Sequence, residues 1–411
     1  MAVTVRPRLF RPECATVDAG ICVCLMAAAL QLIPIPAAMR VAMSPSVATV
    51  DRALRLDASA NPSEGAARPL SVDPSAGGEA LLIAAAVALV FWSAREVYAA
   101  GGIRRSVRAL ANFGLALSAI ALTQHVVRPH LIYGIWPPQS RNAEYPFGPF
   151  VNRNDLAAWL VMALPLAVGY FAARVDTRRR EGRLNADALF DGTGGWLALS
   201  IGLMAATLVS TLSRSGLIAG LAGGASLVLL TRGRMERRGR AWLFAGLALV
   251  AVVAGAYANV GALTTRVGET IESGVGGRRE IWRTTAAIVR DFPLTGVGVG
   301  AFERAMTVYQ PPHLFAFNHA HDEYLQIAAE GGVLLVAPVL MVMAAGAWRI
   351  RRLLEEDRTP VYWIRVGAAS GLIAIAIQSL WETGLRMPAN AVLFALAAAI
   401  ALHRGERGDE G

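Results

Sequence analysis

Runs of about twenty apolar residues recur along this chain, and almost everything charged lies in short arginine clusters between them. A helix of about 20 residues crosses about 30 Å of hydrocarbon, and such runs fall near 19–39, 79–95, 106–127, 155–173, 193–213, 215–231, 241–261, 331–348, 361–381 and 388–403. With 55% of its 411 residues hydrophobic and 17% charged, the chain needs lipid as solvent. The expectation is an all-α polytopic transmembrane helical bundle of about ten spans. The stretch 193–231 carries one charge, Arg214. As a single helix it would run to roughly 60 Å, so it turns back at Ser213-Arg214-Ser215-Gly216 and leaves Arg214 at a membrane surface.

Orientation follows from the arginines. The chain has no lysine, so all 39 basic residues are arginine, and the formal charge is +9. With ten spans, the clusters around Arg8, Arg104, Arg179, Arg237, Arg351 and Arg404 fall on one side, which the positive-inside rule makes the cytoplasm. The resulting map has a cytoplasmic N-terminus at 1–18, seven spans over 19–261, a long, partly helical periplasmic loop over 262–330, three spans over 331–403 and a cytoplasmic tail at 404–411. Basic clusters spread between spans argue against a nucleic-acid partner, which needs them on one folded face. The basic start and small residues around Ala37-Ala38 also fit a cleaved signal peptide, which would leave the remaining topology unchanged. Cys14, Cys22 and Cys24 all lie at the first apolar segment, so no disulfide staples the loops; Cys22 and Cys24 read as small packing residues.

Three outer segments remain. The first, 40–78, is rich in Ala, Ser, Pro and Gly and reads as a weakly structured loop. The second, Phe147-Gly148-Pro149-Phe150-Val151-Asn152-Arg153-Asn154-Asp155, gathers amides and an arginine at a helix start. Such a group suits sugar hydroxyls or phosphate, or simply caps the helix. In the long loop, residues 277–291 place Ile281, Trp282, Thr285, Ile288 and Val289 at helical spacing, the pattern of an amphipathic helix. Arg278 lies on its buried-facing stripe and points inward, where snorkelling beside Trp282 or pairing with an acid is the structural alternative, whereas Arg279, Arg283 and Arg290 lie toward the other side. The glycines of Pro293-Leu294-Thr295-Gly296-Val297-Gly298-Val299-Gly300 read as a tight connection. A nucleotide loop is excluded, because they follow a helix and lack the lysine of a phosphate loop.

The densest cluster is Asn318-His319-Ala320-His321-Asp322-Glu323-Tyr324-Leu325-Gln326, followed by Glu330-Gly331-Gly332. Imidazoles at a membrane edge titrate near neutrality and can take a proton from a hydroxyl. A metal site from His313, His319, His321 and Asp322, or plain helix-capping histidines, are the other readings.

Taken in order over roughly 140–385, these motifs resemble the O-antigen ligase and exopolysaccharide polymerase-like membrane glycosyltransferases of Gram-negative envelopes. The matching pieces are Gly148 to Asn154, Ser213 to Gly216, Gly277-Arg278 with Trp282, Gly296-Val297-Gly298 with Phe302, His319-Ala320-His321 with Tyr324-Leu325, and Glu330-Gly331. The resemblance implies transfer of a glycan from an undecaprenyl-diphosphate carrier to a glycan or lipid acceptor hydroxyl in the outer leaflet of the bacterial inner membrane. It further implies inversion at the anomeric carbon and no metal or other cofactor. It makes Arg214 and Arg278 the diphosphate ligands, His321 the base and His319 its auxiliary. Asn152, Arg153, Asn154, Arg283, Tyr324 and Glu330 are further candidates for substrate binding. The sequence departs from the family in placing Asp322 where asparagine is usual, a negative charge beside an anionic donor.

The chemistry agrees. Charge grows on a diphosphate as its glycosidic bond breaks, and planar guanidinium groups bind such oxygens in pairs while staying charged at any working pH. A transporter or flippase of an anionic lipid-linked glycan is the competing class. Such proteins commonly show inverted repeats and helices broken near mid-bilayer; no repeat is visible, and the candidate residues concentrate on one face.

Overall fold

Apolar runs this long leave each helix little choice but to satisfy its own backbone. The computed structural model describes residues 7–54, 67–137, 146–183, 191–235, 237, 239, 277–310 and 317–404. Among them are thirteen α-helices and no β-strand: α1 (Ala15–Leu30), α2 (Ala37–Met43), α3 (Val47–Ala53), α4 (Pro74–Ala99), α5 (Ile103–Val127), α6 (Arg153–Arg180), α7 (Gly192–Ser210), α8 (Arg214–Thr231), α9 (Gly277–Asp291), α10 (Phe302–Tyr309), α11 (Glu323–Glu356), α12 (Val361–Gln378) and α13 (Pro388–Ala401). Eight are long and apolar enough to cross a membrane, namely α1 with its preceding turn, α4 to α8, α11 and α12; α13 is a shorter apolar helix. The expected span at 241–261 lies outside the described residues, as do 262–276 of the long loop.

The expected arginine clusters do gather at one end. Asp18 pairs with Arg95, Asp191 with Arg174 and Arg178, and Asp357 with Arg365, while Arg234 donates to the Asp357 carbonyl at 2.5 Å. Between the ends, α6 and α12 run antiparallel at the centre. A Cβ at Gly371 would lie 2.7 Å from the Met162 carbonyl, so small residues bring these two backbones together. The first apolar segment is built into the bundle. It begins at Ala15 and stops at Leu30, short of the expected 39, because Pro34 and Pro36 cannot continue a helix.

At the opposite, distal end a small second core sits over the bundle. Val47 and Val50 of α3, Ile281 and Ile288 of α9, Phe302 and Met306 of α10, and Ala320 and Ala329 pack together there. The segment 40–78 is therefore more ordered than its composition suggests: α2 and α3 lie in or across it, and Arg40 pairs with Asp51 at 2.5 Å. Residues 55–66 of it are outside the described residues.

The eighth expected span differs in a way that matters for the site. Helix α11 begins at Glu323 rather than near 331 and is broken at Gly332, whose φ is 53° and ψ −158°. A break inside an apolar bundle leaves backbone groups needing partners. The glycine-rich loop supplies them: the Val297 and Gly298 N–H groups donate to the Ala329 and Glu330 carbonyls at 2.9 Å, and the Val333 and Leu334 N–H groups to the Pro293 and Leu294 carbonyls at 2.9 and 3.0 Å. Gln31, just beyond α1, completes the joint. Its amide donates to the Thr295 and Glu330 carbonyls at 2.7 and 3.1 Å and accepts from the Val299 N–H at 2.9 Å. Gly296 adopts φ +63°, and a Cβ there would overlap the Glu330 carbonyl. The loop thus fills the gap in a broken helix.

Candidate functional site

Helix α9 is amphipathic as expected: Ile281 and Ile288 are buried, and Arg279, Arg283 and Arg290 are exposed. Its position is fixed by Trp282, whose indole N–H donates to the Ala320 carbonyl at 3.0 Å. The same residue's N–H donates to the Gln326 side chain at 2.9 Å. Ala320, between the two histidines, is therefore held on both sides of its backbone. That grip sustains an unusual conformation at the next residue. His321 has φ +50°, a region that costs a non-glycine residue of order 1–3 kcal/mol and that clusters at functional sites.

The side chains converge on Glu382, which follows α12 and is 4% exposed. Its Oε1 accepts from Arg278 Nη2 at 2.6 Å and from Asn154 Nδ2 at 3.0 Å, and its Oε2 faces His321 Nδ1 at 3.5 Å. Four elements thus meet on one carboxylate: α9, the start of α6, the histidine loop and the exit of α12. The His321 separation exceeds that of a formed hydrogen bond. A carboxylate on this side of the ring favours the proton on Nδ1 and leaves Nε2 as acceptor.

His319 sits differently. Burial, with Arg386 and His321 nearby, pushes its imidazole down to about 4, so it is neutral at physiological pH. Asp322 accepts the Leu325 N–H at 3.0 Å as the N-cap of α11, and burial pushes its carboxyl up from the usual range. The departure from the family's asparagine is thus absorbed by a cap that either residue makes well.

The other candidates divide. Glu330, 2% exposed, accepts Arg386 Nη1 and Nη2 at 3.1 and 2.9 Å, and Gln326 donates to it at 3.1 Å. Tyr324 donates its hydroxyl to the Ala376 carbonyl at 2.7 Å, tying α11 to α12. Asn152 caps α6 through the Asn154 N–H at 2.7 Å. Arg153 opens that helix half-buried, without an ion pair among the described residues. Arg283 pairs with Glu280 on the exposed face of α9 at 3.0 Å, away from the carboxylate. Arg214 is exposed at the first position of α8, where Ser213 caps the helix. It makes no ion pair among the described residues, and Gly216 beside it packs on Ala157 of α6, one turn from Asn154. The set His313, His319, His321, Asp322 includes His313, which lies outside the described residues.

Glu382 and Arg386 belong to no motif among the sequence candidates. The signal was Trp381-Glu382-Thr383-Gly384-Leu385-Arg386, a short polar island between two apolar runs, where an acid at the membrane edge marks a functional position.

Helices that cross a membrane and converge on a buried ionic cluster at one end define a polytopic, all-helical membrane protein with a polar site at its distal face. Residues 199–340 match a family model described as O-antigen ligase, so this stretch of the chain is similar to an O-antigen ligase-like family. The matched stretch contains Arg214, Arg278, His319 and His321; Asn154 and Glu382 lie outside it. No curated protein matches the chain.

Proposed function

We propose that this chain transfers a glycan from an undecaprenyl-diphosphate carrier to an acceptor hydroxyl, with inversion and without a metal, at the periplasmic face of a bacterial inner membrane. The observation that carries the reading is the convergence of Arg278 and His321 on Glu382. A base and a phosphate-binding cation gathered at the end opposite the arginine clusters are what the reaction requires. By the positive-inside rule, that end faces the periplasm.

In this reading the acceptor hydroxyl gives its proton to His321 Nε2 as its oxygen forms a bond to the anomeric carbon. Glu382 accepts from Nδ1–H and stabilises the imidazolium that results. The bond between the anomeric carbon and the diphosphate oxygen breaks on the opposite face, and its electron pair leaves with the diphosphate. Arg278 turns from Glu382 toward that growing charge, and Arg214, with no ion pair among the described residues to give up, binds the same head group from the start of α8. A neutral His319 lines the site without adding charge. Whether the acceptor is a lipid core or a growing polysaccharide separates ligase from polymerase.

The test is a reconstituted assay with the lipid-linked donor and alternative acceptors. His321→Ala should abolish transfer with the protein still folded and inserted, and retained turnover removes it from the mechanism. Arg214→Gln and Arg278→Gln should each weaken donor binding; unchanged binding in both refutes the clamp.

A further inference from the structure

A separate feature lies at the arginine-rich end, far from Glu382. A cavity of about 320 Å³ opens where three elements meet: the segment leading into α1, the C-terminus of α4 and the C-terminus of α13. Arg11, Glu13, Cys14, Arg95, Leu402 and Arg404 are among its lining residues. Arg11 is held by Glu96 at 2.9 Å. Arg95 is 4% exposed and donates through Nη1 to Asp18, yet its Nη2 has no hydrogen-bond partner among the described residues. Asp18 is already engaged, since the Trp92 indole and the Arg11 N–H donate to it at 3.1 Å each. Arg404 stands exposed at the rim with no ion pair among the described residues. Glu13 is the one acid in the lining among the described residues.

We propose that this cavity is a lipid site that takes the anionic phosphodiester head group of a membrane phospholipid. A guanidinium nitrogen sealed from water without an acceptor is unfavourable, and phosphate oxygens match the guanidinium fork in pairs. Basic pockets between spans at the cytoplasmic end are where anionic head groups lie, and the volume sits at the small end of the range for ligand pockets. Leu9 and Phe10, which directly precede the lining residue Arg11 in the chain, are exposed apolar side chains. That surface favours a lipid, with chains to cover it, over free phosphate. Arg95 anchors the phosphate from inside and Arg404 closes over it.

The test uses the full-length purified protein in detergent, titrated separately with phosphatidylglycerol, phosphatidylcholine and inorganic phosphate. Lipid retention is read by native mass spectrometry and stability by thermal unfolding. Phosphatidylglycerol should be retained and should raise the unfolding temperature, and Arg404→Gln should weaken its retention about tenfold. Arg95→Gln alone would orphan Asp18, so the paired variant Asp18→Asn with Arg95→Gln serves as the second probe and should lose retention even where Arg404 is intact. Equal retention by wild type and both variants overturns the site. Equal stabilisation by phosphatidylcholine overturns its preference for an anionic lipid, and full stabilisation by inorganic phosphate alone overturns the lipid assignment.

Discussion

Glu382→Gln isolates the contribution of charge at the site, because glutamine keeps the volume and one carbonyl oxygen to accept from Asn154. What disappears is the negative charge 2.6 Å from Arg278 and 3.5 Å from His321. The Arg278 side chain is 35% exposed, so water replaces much of its lost partner and the stability cost stays below about 1 kcal/mol. Catalysis loses more. A base deprived of its orienting carboxylate forfeits the 10²- to 10⁴-fold that positioned proton transfer typically provides, about 3–5 kcal/mol at about 1.4 kcal/mol per decade. Arg278, released from Glu382, is free for the donor, so KM for the lipid-linked glycan should hold or fall while kcat drops. Steady-state transfer in proteoliposomes over a range of donor concentrations separates the two. If Glu382 acts through His321, the variant combining Glu382→Gln with His321→Ala is no slower than His321→Ala alone. A fully additive double variant, or a raised KM with unchanged kcat, refutes the positioning role.

Gln31→Leu should lower the unfolding temperature of the purified protein, since it leaves the buried Thr295 carbonyl unpaired at about 1–3 kcal/mol and takes the partner of the half-buried Val299 N–H as well; an unchanged temperature would show that the joint does not need this amide. His319 takes up a proton only near pH 4 in the folded protein, against 6.5 for a free imidazole. The unfolded chain therefore binds the extra proton between those values, and stability falls as pH drops from about 6.5 toward 4, by no more than about 3 kcal/mol. His319→Gln should flatten that part of the profile in thermal unfolding from pH 7 to 4.5, and a slope identical to wild type removes His319 as its source.

Much of the membrane architecture was legible because hydrophobic length and arginine placement are local signals. The turn at Ser213 to Gly216 and the stripe on α9 follow directly from spacing. Hydrophobic length overstates the first span, because the apolar run continues through Pro34 and Pro36 to Ala38 while the helix ends at Leu30. Hydrophobic length places the start of α11 too late, because Glu323, Gln326 and Glu330 have the polarity of loop residues. In the structure they belong to the helix, and Arg386 and the Ala320 backbone satisfy Glu330 and Gln326. Glu382 could not be singled out by motif: its meaning comes from partners 228 and 104 residues away along the chain. Arg278 and His321 stand out in the sequence because each lies in a dense local pattern.

The splice between the glycine loop and Gly332 also sets how the small distal core sits on the bundle. Four main-chain bonds and one buried amide fasten the glycine loop to a membrane rod, so the height of α9 and α10 above the bundle is dictated by backbone register. Lengthening the chain between α8 and α9 should leave that height unchanged. One added methyl at Gly296 would shift it.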